Sequence, residues 1–337
     1  MLLVTSKAIL EASLNGYRQG KPFAIGAYNV NNMEQMQGII KAAKETQSPV
    51  IVQVSRGALK YAEDKYLRNI IMAAVELNPE IPIAIHLDHG NNLESVKRAI
   101  DLGFTSVMID GSLMEDSKTP SDFEYNVKVT SEVVKYAHDR GVSVEGELGT
   151  LGGIEDGVGS GITHLTDPDQ AVEFVERTGV DSLAISIGTS HGAFKFKGEA
   201  KIAYDVIEKC RKNLPNTYLV AHGSSSVPKE LIDIINQYGG QMEHAAGVPL
   251  EALQKAITYG INKINVDTDI RLAATAATRK YLAENPSKFD QRDYCGAARE
   301  AVAQEIVKRM NAFYTSGHIK DVPNWGLEEM KEMYKGK

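Results

Sequence analysis

One pattern runs through most of the chain: a short apolar run, a polar residue at its end, and then an amphipathic helical segment. The apolar runs are rich in Val and Ile, which is typical of strands buried in a parallel sheet. The pattern occurs about eight times, with predicted strands at 23–28, 50–54, 83–88, 106–110, 142–147, 182–187, 218–222 and 261–267. Helical stretches between them include 33–46, 92–102, 123–140 and 229–237. Alternating strands and helices predict parallel strands joined by right-handed crossovers.

Eight such units close naturally into one barrel. We therefore predict an α/β protein, a single (β/α)8 TIM barrel spanning residues 1–337, with extra helices at both ends. The N-terminal helix is expected at 6–16, and two C-terminal helices at 272–283 and 297–313 are candidates for oligomer contacts. A doubly wound open sheet is the alternative. It is not favoured, because no GxGxxG follows a strand and opens a helix.

Composition excludes several classes of protein. The net charge of −7 argues against a general nucleic-acid binder. No run of 18 apolar residues occurs, and the first 16 residues read as an amphipathic helix, not as a signal peptide. The two cysteines, Cys210 and Cys295, form no CxxC pair and fit a reducing compartment. We expect a cytoplasmic protein that binds neither nucleic acid nor membrane.

Polar residues gather where the predicted strands end, which is the rim that carries the chemistry of such barrels. The strand ends supply Asn29, Ser55, Asp88 with His89, Asp110, Glu147, His191, His222, and Asn265 with Asp267. One histidine at a strand end is usually structural, but three aimed at one rim are a stronger signal. Three neutral imidazoles with a fourth position open are the arrangement of a catalytic zinc site. Asp110 and Glu147 are expected to hold a second cation, to orient the histidines, or to form salt bridges at the barrel top.

Three further residues are judged by their position along a strand. His86 lies three residues before His89, so strand alternation predicts that the two rings point to opposite faces. His86 is therefore expected in the core or beside the ligands. Glu145 lies two residues before Glu147, so the two side chains are expected on the same face of the strand, with Glu145 deeper in the barrel interior. Lys263 lies among apolar neighbours, too early in strand eight to be a strong Schiff-base candidate.

The loops after strands seven and eight favour a phosphorylated substrate. They read HGSSS (222–226) and NVDT (265–268), and barrel enzymes frequently bind phosphate at this position through backbone N–H groups and hydroxyls. Lys195, Lys197 and Arg271 could add positive charge, although any one of them is more often a solvated side chain. The segment 149–165 contains six glycines and is predicted to be a lid, a surface excursion being the alternative.

Several motifs identify a family. The stretches HLDHGNNLESVKRAIDLGFTSVMIDGS, VSVEGELGTLGGIEDGV, AISIGTSHGAFKFKGE, VAHGSSSVP and INKINVDTDIRLA closely resemble the class-II, metal-dependent fructose-bisphosphate aldolases. The similarity runs from YNVNNMEQMQ to KFDQRDYCGAARE, and GTSHGAFKFKGE with HGSSS resembles the type B branch. The resemblance implies reversible, zinc-dependent cleavage of fructose 1,6-bisphosphate to dihydroxyacetone phosphate and glyceraldehyde 3-phosphate in glycolysis and gluconeogenesis. Tagatose-1,6-bisphosphate aldolase is the alternative. Metal-dependent hydrolysis and a non-enzymatic sugar-phosphate sensor are less favoured.

The resemblance also implies roles for individual residues. His89, His191 and His222 match the zinc ligands, and Asp110 and Glu147 match a second metal position shared with His89. Asp88 matches the acid/base for the C4 hydroxyl, and Glu155 matches the loop residue that exchanges the proton at C3 of dihydroxyacetone phosphate. The positions that match residues binding the dihydroxyacetone phosphate half of the substrate are Gly192, Gly223, Ser224, Ser225, Asn265, Val266, Asp267 and Thr268. Ser55 matches a position near the other half, and positions that contact phosphate or sugar hydroxyls are Lys195, Arg271 and Asp290.

The remaining implications concern metals, assembly and one departure from the family. The resemblance implies one catalytic Zn²⁺, leaves room for a second divalent ion and a monovalent cation, and implies a homodimer or homotetramer. Many members have HGG before Ser or Thr, whereas this chain has His222-Gly223-Ser224. That difference leaves the details of phosphate binding open.

Overall fold

The computed structural model describes residues 3–153, 158–159, 163–192, 201–243 and 245–336. Eight parallel strands form a closed barrel in sequential order, each strand pairing with the next and β8 pairing with β1. The strands are β1 Ile25–Asn29, β2 Val50–Ser55, β3 Ile83–Gly90, β4 Ser106–Ile109, β5 Ser143–Leu148, β6 Ser182–Ile185, β7 Tyr218–Ala221 and β8 Ile261–Val266. All eight predicted strands and the (β/α)8 fold are confirmed.

Helices surround the barrel and lie at both of its ends. They are α1 Ser6–Arg18, α2 Met33–Thr46, α3 Arg56–Ala62, α4 Asp64–Leu77, α5 Leu93–Asp101, α6 Phe123–His138, α7 Pro168–Thr178, α8 Tyr204–Asn213, α9 Lys229–Gln237, α10 Leu250–Tyr259, α11 Thr268–Glu284, α12 Gln291–Ala312 and α13 Leu327–Tyr334, with a short 3-10 turn at Ile319–Asp321. In the part of the chain that the structure describes, none of these helices is long and apolar enough to cross a bilayer.

The apolar residues divide between two layers. Val and Ile side chains of the strands pack outward against the surrounding helices, and this layer is the larger core. A second cluster packs the buried face of α1, including Ile9 and Leu10, against Ile25, Ile51 and Ala84 of the strands. Because α1 contacts strands on several sides of the barrel, it covers the end opposite the carboxyl ends of the strands. The predicted N-terminal helix therefore forms the floor of the barrel.

The expectation that His86 and His89 point to opposite faces is wrong. His89 adopts a left-handed φ of 48°, and the pairing of β3 with β4 shifts register between Leu87 and Gly90. That backbone turn ends the regular alternation of side chains. His89 consequently reaches Asp110 and His222, while His86, three residues earlier, reaches Lys263. Both rings lie inside the barrel, at different depths.

A buried carboxylate ties four elements together at the floor. Asp181, directly before β6, accepts hydrogen bonds from Lys7 Nζ at 2.8 Å, Tyr334 OH at 2.8 Å and the Val144 amide at 2.9 Å. His138 Nε2 lies 2.9 Å from the same carboxylate. Burial by itself raises the pKa of Asp181, but the hydrogen bond from His138 and the charge of Lys7 outweigh burial and hold the pKa well below its usual value. The ionised carboxylate therefore stabilises the fold.

We predict that Asp181→Asn lowers the free energy of unfolding at pH 7 by about 3 kcal/mol, because it removes the charge from a buried, paired group. Since the folded pKa lies below the unfolded one, this contribution is present above about pH 4 and is lost as the pH falls further. Denaturant unfolding of both proteins from pH 7 to pH 3 should therefore show the difference shrinking. Asp233→Asn, in an exposed pair with Lys229, is the control and should change stability little. A difference that stays constant down to pH 3 would contradict the prediction.

Candidate active site

A cleft opens at the carboxyl ends of the strands, where the sequence predicted the site. Its lining residues are Asn29, Gln53, Ser55, Arg56, Gly57, Asp88, His89, Val158, His191, Gly223, Ser224, Ser225, Asn265 and Asp267. A smaller cavity adjoins it, shares His89, His191 and Val158, and is also lined by Asp110 and Glu147. Asp88 and the predicted metal ligands His89, His191, Asp110 and Glu147 therefore line one rim, and His222 contacts His89 there.

Two histidines face each other at the centre of this site. His89 Nδ1 lies 3.0 Å from Asp110 Oδ2, and His222 Nε2 lies 2.8 Å from Glu145 Oε1. A carboxylate only accepts, so each of these nitrogens carries a proton. The other two nitrogens, His89 Nε2 and His222 Nδ1, lie 3.1 Å apart. When both rings are neutral, two lone pairs are directed at the same point.

That geometry fits a cation. Two nitrogens bound to one tetrahedral zinc at 2.0–2.1 Å would be separated by about 3.3 Å, close to the separation found here. The groups of possible ligands in the described residues are Asp88 with His89 and His222, and His89 with Asp110 and Glu147. One oxygen of Asp88 and one of Glu147 are buried and accept no hydrogen bond from any residue that the structure describes. The donor set suits a divalent metal.

The third predicted imidazole, His191, lies beside His89. Its ring centroid is 5.2 Å from that of His89 and 6.5 Å from that of His222, and it belongs to neither compact group of possible ligands. The backbone amide of His191 donates to the Gly152 carbonyl, so the loop after β6 contacts the loop after β5. The structure thus brings His89 and His222 into ligand range of each other, and the buried ring of His191 packs edge-on against His89 in the same cleft.

The charges around His89 favour a positive centre. Burial lowers the pKa of His89, but Asp88, Asp110 and Glu147 together outweigh it and raise the pKa to about 10. Burial, followed by the charge of Asp110, raises the pKa of Glu147 well above its usual value. Burial and then His89 and Lys263 lower the pKa of His222 well below its usual range. Three carboxylates crowd one imidazole, and a divalent cation would offset their mutual repulsion.

Asp88 is held by a chain of amides. Asn29 Nδ2 donates to Asp88 Oδ2 at 3.2 Å, and Gln53 Nε2 donates to Asn29 Oδ1 at 2.9 Å. These residues come from three adjacent strands, β1, β2 and β3. The second oxygen of Asp88 lies 3.8 Å from His89 Nε2. The side chain is therefore fixed beside the centre with one oxygen available to a ligand.

The loop after β7 is built around a glycine. Gly223 has a φ of 59°, and a Cβ there would meet the backbone of Ser190 at 2.8 Å. Thr189 Oγ1 donates to the His222 carbonyl at 2.6 Å, which joins the loops after β6 and β7. Ser224 and Ser225 are buried and line the cleft, and Asn265 Oδ1 accepts no hydrogen bond from any described residue. Hydroxyls, a glycine backbone and a helix N-terminus are groups that can bind an anion.

The other predicted substrate residues are distributed unevenly. Arg271 donates to both oxygens of Asp267, at 2.8 and 2.6 Å, beside the cleft. Gly192 and Thr268 each adjoin a residue that lines the cleft, and the Val266 side chain packs in the core. Asp290 caps α12, pairs with Arg292 and is not among the residues that line the cleft. Glu155, Lys195 and Lys197 lie outside the described residues.

Sequence reasoning did not name Gln53, Arg56 or Gly57, which line the cleft, and it misjudged the surroundings of Lys263. Arg56 lines the cleft and donates to the His89 carbonyl at 3.0 Å and to Ser117 Oγ at 2.6 Å, so it supports the left-handed turn. Its position two residues after the second predicted strand, next to the strand-end residue Ser55, was the available signal. Lys263 was expected among apolar neighbours, but it is fully buried inside the barrel and bonds to Glu145. It lies two residues before Asn265, so strand alternation could have indicated that its side chain points inward. The expected inward direction of Glu145 is confirmed by its bonds to Lys263 and His222.

Comparison with known proteins covers nearly the whole chain. The family model described as fructose-bisphosphate aldolase class-II matches residues 12–318. A fructose-bisphosphate aldolase of Giardia intestinalis is 54% identical, with 93% of this chain and 95% of that protein aligned. One from a Nostoc species is 50% identical over 99% of this chain and 96% of that protein. The crystal structure of the YdjI aldolase of Escherichia coli K12 aligns with a TM-score of 0.74 and 29% identity, covering 94% of this chain and 99% of that one.

The chain therefore belongs to the class-II fructose-bisphosphate aldolases, a family of lyases. The activity for which the family is named is the cleavage of fructose bisphosphate, and its members use a divalent metal. The compact groups of His, Asp and Glu around His89 agree with that requirement.

We predict that Gly223→Ala lowers kcat/KM by about 10²-fold, because the added methyl group would push the loop that carries His222 away from Ser190. Gly20→Ala is the matched control: Gly20 also has a positive φ, 73°, but no atom lies within 4 Å of the added Cβ. Both variants should lose stability from backbone strain. Only Gly223→Ala should lose activity, measured as cleavage of the sugar bisphosphate under saturating metal. Equal activities of the two variants would contradict this account.

Proposed function

We propose that this chain is a zinc enzyme that catalyses the reversible retro-aldol cleavage of fructose 1,6-bisphosphate to dihydroxyacetone phosphate and glyceraldehyde 3-phosphate. The observation that carries the proposal is the convergence of His89 Nε2 and His222 Nδ1, 3.1 Å apart, beside a buried oxygen of Asp88. A cleft with hydroxyl-rich loops leads to that point. Family membership supports the reaction, and the donor set supports zinc.

The metal is assigned to residues at the centre of the rim. His89, His191 and His222 would hold the catalytic zinc, and Asp110 and Glu147 with His89 would hold a second divalent ion. When bound, the catalytic metal supplies Lewis acidity to the substrate carbonyl that receives electron density as the C3–C4 bond breaks. A monovalent cation remains part of the proposal because the resemblance implies it.

Asp88 is assigned the proton of the C4 hydroxyl. The amide chain from Gln53 through Asn29 fixes one carboxylate oxygen and leaves the other for the substrate. In cleavage, Asp88 accepts the hydroxyl proton as the C4 carbonyl forms. In synthesis, it returns that proton. A fixed carboxylate within the cleft meets the geometric requirement for a general acid–base group.

The remaining substrate contacts are assigned by the resemblance and supported by the lining of the cleft. The residues proposed for the dihydroxyacetone phosphate half are Gly192, Gly223, Ser224, Ser225, Asn265, Val266, Asp267 and Thr268. The buried side chain of Val266 leaves only its backbone for this role. Ser55 would lie near the aldehyde half, with Lys195, Arg271 and Asp290 contacting phosphate or hydroxyls. Glu155 is proposed to exchange the proton at C3.

We further propose fructose over tagatose 1,6-bisphosphate as the substrate, because the motifs fit the type B branch and the curated relatives are named for fructose bisphosphate. Tagatose-1,6-bisphosphate aldolase, which differs in the C4 configuration that it accepts, is the alternative. Operation in glycolysis and gluconeogenesis, a cytoplasmic location and a homodimeric or homotetrameric state belong to the same proposal.

Chelation separates zinc chemistry from Schiff-base chemistry. We predict that a chelator abolishes cleavage of fructose 1,6-bisphosphate, that zinc or cobalt restores it, and that borohydride with substrate traps no lysine adduct. A coupled assay on fructose and tagatose 1,6-bisphosphates, run in parallel, measures both dependence on metal and choice of sugar. Full activity at zero measured metal content would end the zinc proposal, whereas faster cleavage of the tagatose sugar would overturn only the substrate assignment.

The two proposed proton carriers can be told apart by isotope exchange. We predict that Asp88→Ala abolishes cleavage, by at least about 10²-fold, yet retains partial exchange at C3 of dihydroxyacetone phosphate. Glu155→Ala should instead slow the exchange itself, because it removes the base at C3. Deuterium exchange followed by NMR in both variants provides the measurement. The role assignment is wrong if Asp88→Ala loses exchange as completely as cleavage while Glu155→Ala exchanges normally.

A further inference from the structure

A charged layer lies beneath the candidate metal centre. The inside of a parallel barrel is ordinarily filled by branched apolar side chains. Here His86, Glu145 and Lys263 are each at most 1% exposed. Lys263 Nζ lies 2.8 Å from Glu145 Oε2 and 3.3 Å from His86 Nε2. A buried ion pair is often no more stabilising than apolar residues of the same volume, so stability alone gives little reason for this layer.

The carboxylate of Glu145 divides its two oxygens between two partners. Oε2 accepts from Lys263 at 2.8 Å, and Oε1 accepts from His222 Nε2 at 2.8 Å. The bond to His222 fixes the proton on Nε2, so that Nδ1 presents its lone pair toward His89. Because both oxygens are engaged, the carboxylate cannot rotate without breaking one of these bonds.

Lys263 is in turn held from below. His86 Nδ1 lies 2.7 Å from Ser106 Oγ, and Ser106 Oγ lies 2.6 Å from Ser6 Oγ, at the first residue of α1. Burial, followed by the charge of Lys263, lowers the pKa of His86 well below its usual value. A neutral His86 accepts from Lys263 through Nε2 and donates to Ser106 through Nδ1. A polar column therefore runs from the barrel floor to His222.

We propose that Lys263 is a positioning residue for the metal centre: it locks Glu145 so that His222 offers Nδ1 to the ion. This inference rests on the proposed role of His222 as a ligand. Lys263 itself does not line the cleft, is completely buried and is paired with a carboxylate, so it does not contact the substrate. Its effect reaches the reaction only through the orientation of His222.

The test measures metal binding in addition to activity. Lys263→Met keeps the length and the burial of the side chain and removes the ammonium group. The variant should bind zinc about 10–100-fold more weakly in competition with a chelator, as partners of metal-bound histidines typically do when altered. Its Co²⁺ form should also show a changed visible absorption spectrum, because His222 is no longer held in one orientation.

Lys7→Met is the matched control. Lys7 also donates to a buried carboxylate at 2.8 Å, that of Asp181, but on the barrel floor and without contact to His222. It should lose stability while keeping the zinc affinity and the cobalt spectrum of the unaltered protein. A purely structural role for Lys263 would give the same result as this control.

A second variant covers the case in which Lys263→Met fails to fold. The double variant Glu145→Gln with Lys263→Met leaves no uncompensated buried charge, and it should also bind zinc about 10–100-fold more weakly. Unchanged zinc affinity and an unchanged cobalt spectrum in either folded variant would overturn the inference. His222→Ala distinguishes a failure of the role proposed for Lys263 from a failure of the proposed metal site. If this variant retains the original zinc affinity, the proposed metal site itself is wrong.

Discussion

The hydrogen bonds between β1 and β8 are the constraint on which the rest of the molecule depends. They close the sheet, with Ile25 beside Lys263 and Ala27 beside Asn265. Closure brings the carboxyl ends of all eight strands onto one rim, so residues more than 130 positions apart, such as His89 and His222, come within 3.1 Å of each other. Without closure, His89 on β3 and His222 after β7 would lie four strands apart in an open sheet.

Closure also concentrates charge, and the chemistry of the site follows from how that charge is offset. Asp88, Asp110 and Glu147 surround His89 in a buried region where water is largely excluded. Buried carboxylates at such separations repel each other strongly unless a proton or a cation lies between them. A divalent metal would offset that repulsion, and when held there by these residues it would supply the positive charge that stabilises a substrate carbonyl gaining negative charge.

Much of the fold and part of the site could be predicted from the sequence. The strands were identifiable because each buried parallel strand is a short apolar run followed by a helix. The strand-end residues were identifiable for the same reason, since their place in the repeat defines the rim. The directions of His86 and His89 were not, because the left-handed φ of His89 depends on Arg56 bonding its carbonyl and on the register shift toward β4. The rule that side chains alternate along a strand takes account of neither the hydrogen bond from Arg56 nor the register shift.

The sequence by itself determined the number of strands, their order and the family, because periodicity and contiguous motifs are local properties of the chain. Only the tertiary structure decided which nitrogen of each histidine faces the centre and which charges lie beneath it. Those features come from contacts across the barrel, such as Lys263 with Glu145 and Glu145 with His222, which join β8, β5 and the residue after β7. Local pattern cannot specify them, because burial makes such contacts strong only after the sheet has closed and excluded water.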